Sequence, residues 1–269
     1  MIGLLKSGDG AAWLLFGCFW LLLFGLAAAE TLRPLHSAPV EGRGRLVTNF
    51  GMGLVAALLY TALPLTAVAA AEWARREEVG LLNAAPLPAL AGAALTVLAW
   101  SLVNYWLHRA FHRWPWLWRF HRVHHSDTAV DLSTGFRNHP GEVVAVAALR
   151  AALAIALGLS VPGLIAYEAA AFAAVMWSHA NLSLPRPVDR ALRALLVTPA
   201  MHHVHHSAER HETDSNYGEL FSVWDRLFGT YRTSDSDSLA ATRLGLGDSE
   251  DEGASSLRRQ LMAPLRRAG

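Results

Sequence analysis

Thirteen histidines are an unusual load for a 269-residue chain that is 53% hydrophobic, and most of them fall in three short stretches. In His108-Arg109-Ala110-Phe111-His112 the two imidazoles are four residues apart, so a helix of about 3.6 residues per turn presents both on one face. His121-Arg122-Val123-His124-His125 follows with spacings of three and four. His202-His203-Val204-His205-His206 repeats them through His202, His205 and His206. Neutral imidazole suits iron, zinc, copper and nickel, and eight such ligands exceed what one ion can use. Two metal ions are implied. His203 is the odd member of its strip, His36 sits in an early loop, and His211 is ambiguous.

Other chemistries fit less well. Cys18 is the only cysteine, which rules out an intramolecular disulfide, a thiolate-rich metal site and an iron–sulfur cluster. Carboxylates are scarce near the strips, whereas soluble di-iron bundles use Glu and Glu-x-x-His ligands. Glu142 or Glu219 could act as the base of a zinc hydrolase, but a dinuclear hydrolase normally bridges its metals with a carboxylate. A metal transporter or a metal-binding protein without oxidase activity is the non-enzymatic alternative. It would carry ligands along a path through the bilayer, and here no histidine lies mid-span.

The elements that position these residues are apolar. Only 17% of the residues are charged, and the mean hydropathy is +0.25, which describes a membrane protein. Residues 11–29, 49–71 and 86–107 are each long enough to cross a hydrocarbon core as a helix of about 20 residues. Residues 143–181 are apolar again but broken at Ser160-Val161-Pro162-Gly163, as in a helical hairpin. His139 precedes the hairpin and His179 ends it, so both return to one membrane side. Ala27-Ala28-Ala29 resembles a signal-peptidase site. Retaining the first span, however, places Arg109, Arg113, Arg119, Arg122 and Arg137 on the cytoplasmic side, as the positive-inside rule requires. The net charge of +1 gives no reason to expect a nucleic-acid partner. Glu168, within the second hairpin helix, either meets a substrate hydroxyl or sits in a polar bundle interior.

The expected fold is therefore all-α. It is an integral membrane helical bundle of three spans plus a hairpin, with a cytoplasmic histidine-rich helical cap. Residues 1–107 form the N-terminal spans, 108–232 the histidine-rich region with hairpin 143–181, and 233–269 a flexible polar tail. The tail ends in Leu257-Arg258-Arg259-Gln260-Leu261 and Leu265-Arg266-Arg267, which read either as a helix on an anionic membrane surface or as a solvated end. The setting expected is a bacterial inner membrane. Paired histidine-bound, redox-active metals beside a bilayer point to activation of oxygen against a buried alkyl chain.

The motifs carry a resemblance as well. His108-Arg109-x-x-His112, Leu117-Trp118-Arg119-Phe120-His121-x-x-His124-His125-Ser126, His139-Pro140-x-Glu142, His179-x-Asn181 and Pro199-x-x-His202-x-x-His205-His206, with Asn216-Tyr217-Gly218 and Trp224-Asp225-Arg226-Leu227-Phe228-Gly229-Thr230, occur in that order. The stretch 100–231 resembles the fatty acid hydroxylase/sterol desaturase superfamily. The resemblance implies two ferrous ions, molecular oxygen as co-substrate, an external electron-donor protein, and hydroxylation or desaturation of a fatty acyl, sterol or related lipid. It makes His108, His112, His121, His124, His125, His202, His205 and His206 the core ligands and adds His139 and His179. It casts Asn216, Tyr217, Trp224 and Asp225 as residues that orient the ligands through hydrogen bonds. Asp225 could instead form an ion pair with Arg226 or Arg119. No dinucleotide fingerprint, haem-attachment motif or ferredoxin cysteine pattern is present, so electrons come from a separate protein.

Overall fold

The structure is a computed structural model and describes residues 10–36, 42–63, 66–85, 87–233, 239–247 and 253–266. Among the described residues it is helical, with isolated β-bridges and no strand. The long helices are α1 (Gly10–Leu32), α2 (Arg43–Ala62), α4 (Ala89–Arg113), α6 (Pro140–Leu157) and α7 (Val161–His179). A shorter α3 (Ala67–Arg76) follows α2. By length and composition four runs could cross a membrane: Arg43–Arg76, which contains both α2 and α3, together with α4, α6 and α7. Large apolar side chains point outward, with Leu90 83% and Leu54 62% exposed. In water each such side chain forgoes about 1.5–3 kcal/mol of burial, whereas a bilayer solvates it.

The apolar run 49–71 is not one helix. α2 stops at Ala62 and α3 restarts at Ala67, with Thr66 Oγ1 accepting from the Ala69 amide at 3.0 Å. Pro64, which has no amide hydrogen, lies between them. The hairpin forms as expected. Gly158 closes α6 in the left-handed conformation (φ +62°), and Ser160 caps α7. Gly80 (φ +100°) packs against this turn so closely that a Cβ there would lie 2.4 Å from the Gly158 nitrogen. The Leu81 and Leu82 amides donate to Ala156 and Leu157 carbonyls, fixing the loop after α3 to the hairpin's tip.

α4 ends where Pro115 forces a break, and α5 (Pro115–His125) starts with that proline at its first position. Short helices then gather near the ends of α4 and α7: α8 (Arg186–Leu192), α9 (Pro199–His205), α10 (Arg210–Thr213) and α11 (Val223–Leu227). Trp106, Trp114 and Trp116 are exposed at this level, as aromatic side chains are at a membrane interface.

Two arginines bind the loop after α5 from within. Arg137, fully buried, donates from Nε to the Val123 carbonyl, from Nη1 to Asn49 Oδ1, and from Nη2 to Ser126 Oγ and the Ala254 carbonyl. Arg45 Nη1 donates to Asp127 Oδ2 at 3.1 Å, and its Nη2 pairs with Asp131. Arg137 is thus an internal strut and not one of the surface charges that bias topology.

The tail differs from the flexible segment expected after residue 232. Leu239 and Leu244 are buried, and α12 (Leu257–Met262) packs on α2, where a Cβ on Gly51 would lie 2.9 Å from Leu257. Gln260 is buried and accepts from Ser126 Oγ at 3.0 Å. The tail's polar groups and few leucines find partners in the core, so composition alone misjudges it. Residues 234–238, 248–252 and 267–269 of the tail, and Pro86, lie outside the described residues.

Candidate metal centre

The last two turns of α4 carry His108 and His112, α5 carries His121, His124 and His125, and α7 ends on His179. α9 supplies His202 and His205, with His206 as its C-cap. These nine rings converge into two groups. His108, His112, His121, His125 and His205 form one, and His124, His179, His202 and His206 the other, the ligand atoms within each group lying no more than 4.8 Å apart. Nine of the ten histidines expected as ligands are therefore together.

Nδ1 of four rings is anchored. His108 Nδ1 donates to the Tyr217 carbonyl at 2.9 Å, His205 Nδ1 to the Ser215 carbonyl at 2.6 Å, His179 Nδ1 to the Val175 carbonyl at 2.8 Å and His121 Nδ1 to Glu142 Oε1 at 2.7 Å. With the proton on Nδ1, a neutral ring keeps its lone pair on Nε2. Yet His108 Nε2 lies 3.1 Å from both His121 Nε2 and His205 Nε2, and His179 Nε2 lies 3.0 Å from both His124 Nε2 and His202 Nε2. Among His108, His121 and His205, whose Nδ1 protons are all anchored, the Nε2 lone pairs face one another and repel at this distance, and a cation with metal–nitrogen bonds of about 2.0–2.1 Å turns that repulsion into coordination. Both ring nitrogens of His112, His125 and His206 are buried without a hydrogen-bond partner, which is rare in native proteins unless an ion or water supplies the partner. His112 Nδ1 stands 3.5 Å from Asp214 Oδ1, too long for a good hydrogen bond. The residues fit two ions.

Burial sets the charge state. It pushes the His124, His125, His202 and His206 rings well below the ordinary imidazole value and His205 to about 3, with neighbouring imidazoles adding to the effect in most of these. Neutral rings are the form that binds metal.

The loop after α10, together with α11, braces the ligands. Asp225 takes the Tyr217 and Gly218 amides on its two oxygens at 2.7 and 2.8 Å and accepts from Thr230 Oγ1 at 2.7 Å. It makes no ion pair with Arg226 or Arg119 among the contacts described. The same Tyr217 peptide orients His108, so Asp225 acts on that ring through one backbone unit. Asn216, at φ +52°, donates to the Met201 and Arg232 carbonyls, both at 2.9 Å, holding α9 in place. The Tyr217 ring lies 5.1 Å from that of His112. Trp224 Nε1 donates to Ser101 Oγ at 2.9 Å, a link to α4 that reaches no histidine.

His139 does not join the ligands. Its Nδ1 accepts from the Gly141 amide at 2.9 Å and its Nε2 donates to the Leu261 carbonyl at 3.1 Å, so it caps α6 and has no nitrogen to spare. His203 stacks on His36 at 5.0 Å and donates to the His179 carbonyl. His211 is exposed on α10. Glu142 has a role that the sequence alone left unassigned: it orients His121. Its place in the first turn of α6, three residues after His139, was the available signal.

A cavity of about 250 Å³ lies against the centre, lined by His108 and His121 from one group, His124 and His179 from the other, and by Phe111, Val143, Val146, Arg150 and Glu219. Arg150 pairs with Glu168, which also accepts from Trp100 Nε1 at 3.0 Å. Another cleft, about 720 Å³, is lined by no histidine and contains Arg186, Arg190, Arg193 and Arg226.

Comparison with known proteins places the centre in context. The model of the family described as "Fatty acid hydroxylase" matches residues 93–230. An alkylglycerol monooxygenase of Danio rerio is 31% identical over 142 residues, covering 51% of this chain and 30% of the relative. The ornithine lipid hydroxylase OlsE of Rhizobium tropici is 31% identical over 128 residues, 47% of this chain and 38% of the relative. A cholesterol 25-hydroxylase-like protein of Danio rerio is 30% identical over 125 residues, 46% and 48% of the respective chains. Each match thus spans less than half of the relative's own length. No solved structure matches.

Proposed function

Because the chain belongs to the fatty acid hydroxylase family, we propose that it is a membrane-bound non-haem di-iron oxygenase that hydroxylates a C–H bond of a lipid. The observation that carries this reading is the pair of buried histidine groups, of five and four, that share one cavity wall. Overall, R–H + O2 + 2 e⁻ + 2 H⁺ gives R–OH + H2O, the electrons coming from an external donor protein. Hydroxylation is preferred to desaturation because the relatives named above are hydroxylases and a monooxygenase.

His108, His112, His121, His125 and His205 would hold one iron, and His124, His179, His202 and His206 the other. Two ferrous ions held there supply the redox chemistry that activates oxygen. The chain's own residues do the rest. Burial keeps the His124, His125, His202, His205 and His206 imidazoles neutral, while the Tyr217, Ser215 and Val175 carbonyls and Glu142 aim Nε2 at the ions. Phe111, Val143 and Val146 give the cavity an apolar wall that excludes bulk water and holds an alkyl chain at the centre. A transporter reading is disfavoured because the nine rings form two closed groups and no ligand path.

The arginines of α8 and α11 around the 720 Å³ cleft suit an acidic face of the donor, which supports a cytoplasmic active site. Elemental analysis of detergent-purified protein tests the proposal. Close to two irons per chain, with oxygen-dependent lipid hydroxylation under reductant, is the expected result. A protein that takes up no iron on reconstitution overturns it.

A further inference from the structure

The end of α1 and the residues just after it lie outside the stretch that matches the family model, yet they are bound to the elements that carry the four-histidine group. Glu30, in the last turn of α1, accepts two amides on Oε2, that of Asn181 at 3.0 Å and that of Leu132 at 3.1 Å. Asn181 follows two residues after the ligand His179. Beyond α1, residues 33–36 run beside residues 181–183: the Ser183 amide donates to the Arg33 carbonyl at 2.8 Å, and Pro34 forms an antiparallel bridge with Leu182. The Asn181 side chain closes the contact, its Oδ1 accepting from the Leu35 and His36 amides at 3.0 and 2.8 Å and its Nδ2 donating to the His36 carbonyl at 3.0 Å. The same segment also reaches α9. Leu35 is buried against Val204, and the His36 ring stacks on that of His203, whose Nε2 donates to the His179 carbonyl at 3.2 Å.

The two histidine groups depend on this segment unequally. His179, His202 and His206, three rings of the four-histidine group, sit on the two elements that residues 30–36 join. In the five-histidine group four rings come from α4 and α5, and the fifth, His205, is anchored by the Ser215 carbonyl. A carboxylate that accepts two amides makes charge-assisted bonds, stronger than neutral ones, so Glu30 is a firm stop for the chain that leaves α7. Metal–nitrogen bonds tolerate about 0.2 Å of error, and groups that fix a ligand's carrier therefore tune how tightly the ion is held.

We propose that Glu30 and Asn181 are positioning residues for the ion of the four-histidine group: through them the end of α1 sets His179 against His202 and His206, which makes α1 part of the metal centre. This rests on the two-ion reading above, and its test requires no turnover. Purified full-length protein is loaded with iron and, separately, with zinc, and metal per chain is measured during competition with a chelator. Glu30→Ala should release one of the two ions at an about tenfold lower chelator concentration than the unsubstituted protein and leave the other unmoved. Glu30→Gln, whose amide oxygen still accepts from both backbone amides, should restore most of the difference. Glu30→Ala combined with His202→Ala should cost no more metal than His202→Ala alone, whereas combined with His205→Ala it should weaken both ions. Asn181→Ala should repeat the selective loss, and it decides if Glu30→Ala does not fold. Equal loosening of both ions, the signature of a merely structural brace, or two ions held as tightly as in the unsubstituted protein, overturns the proposal. An unsubstituted protein that takes up neither metal overturns this proposal and the oxygenase reading together. One that holds two ions with the expected dependence on Glu30, yet hydroxylates no lipid when iron-loaded, refutes the oxygenase reading and leaves this one standing.

Discussion

Helix α5 leads into two buried polar clusters that look alike by composition and differ in how they are satisfied. Beyond its C-terminus, Arg45, Asn49, Asp127, Ser133, Thr134 and Arg137 exchange hydrogen bonds with one another and with backbone carbonyls, and of the arginine nitrogens only Arg45 Nε is left over. On its other side the histidines leave both nitrogens of His112, His125 and His206 unpartnered. At about 1–3 kcal/mol for each buried unsatisfied group, those six atoms together cost as much as the roughly 5–15 kcal/mol by which a whole protein is stable. A cluster that completes itself is structural. One that leaves its lone pairs facing each other is a binding site.

The contrast fails if both clusters respond alike to substitution, and the largest effect should come from the ligands. His205→Ala removes a ring from the five-histidine group, and iron measured per chain should fall from near two to about one or less, with hydroxylation lost and the protein still folded in the membrane. Arg137→Met should do the opposite. It strands the Ala254 carbonyl and Asn49 Oδ1, and the denaturation midpoint should drop by an amount equivalent to about 3–5 kcal/mol, while the folded fraction keeps its iron. Iron loss without destabilisation in Arg137→Met would erase the distinction. Glu142→Ala sharpens it at intermediate size: with His121 no longer aimed, chelator competition should show iron at the five-histidine group held 10–100-fold more weakly without a matching loss of stability.

What was legible in the sequence follows from which forces are local. The three histidine strips could be read because helical period alone puts His108 beside His112 and His121 beside His124 and His125. The hairpin was legible because Ser160-Val161-Pro162-Gly163 carries its own breaking and capping signals. The break between α2 and α3 was missed because apolar composition runs on past Pro64 and masked the stop. Arg137 reads as one more surface charge until the chain brings Asn49, Val123 and Ala254 around it, three groups from distant parts of the sequence. The tail was misjudged for the same reason, since nothing near Gln260 announces that Ser126 is its partner. The Arg150–Glu168 pair depends on how α6 and α7 pack, which no local pattern encodes.

His139 offers the smallest and most discriminating test. Two readings of His139-Pro140 compete: a metal ligand beside the second histidine strip, or a helix start, with proline at the first helical position and a side-chain acceptor just before it. In the structure both ring nitrogens are committed to backbone, one to Gly141 and one to Leu261, so the ring belongs with the self-satisfied cluster. His139→Ala should then retain the full iron content and most of the activity, and lose about 1 kcal/mol of stability as the α6 cap goes. His139→Asn, which can still accept from the Gly141 amide, should recover most of that loss. An iron content that falls with His139→Ala by as much as with His205→Ala would move His139 across the divide and make the site a ten-histidine centre.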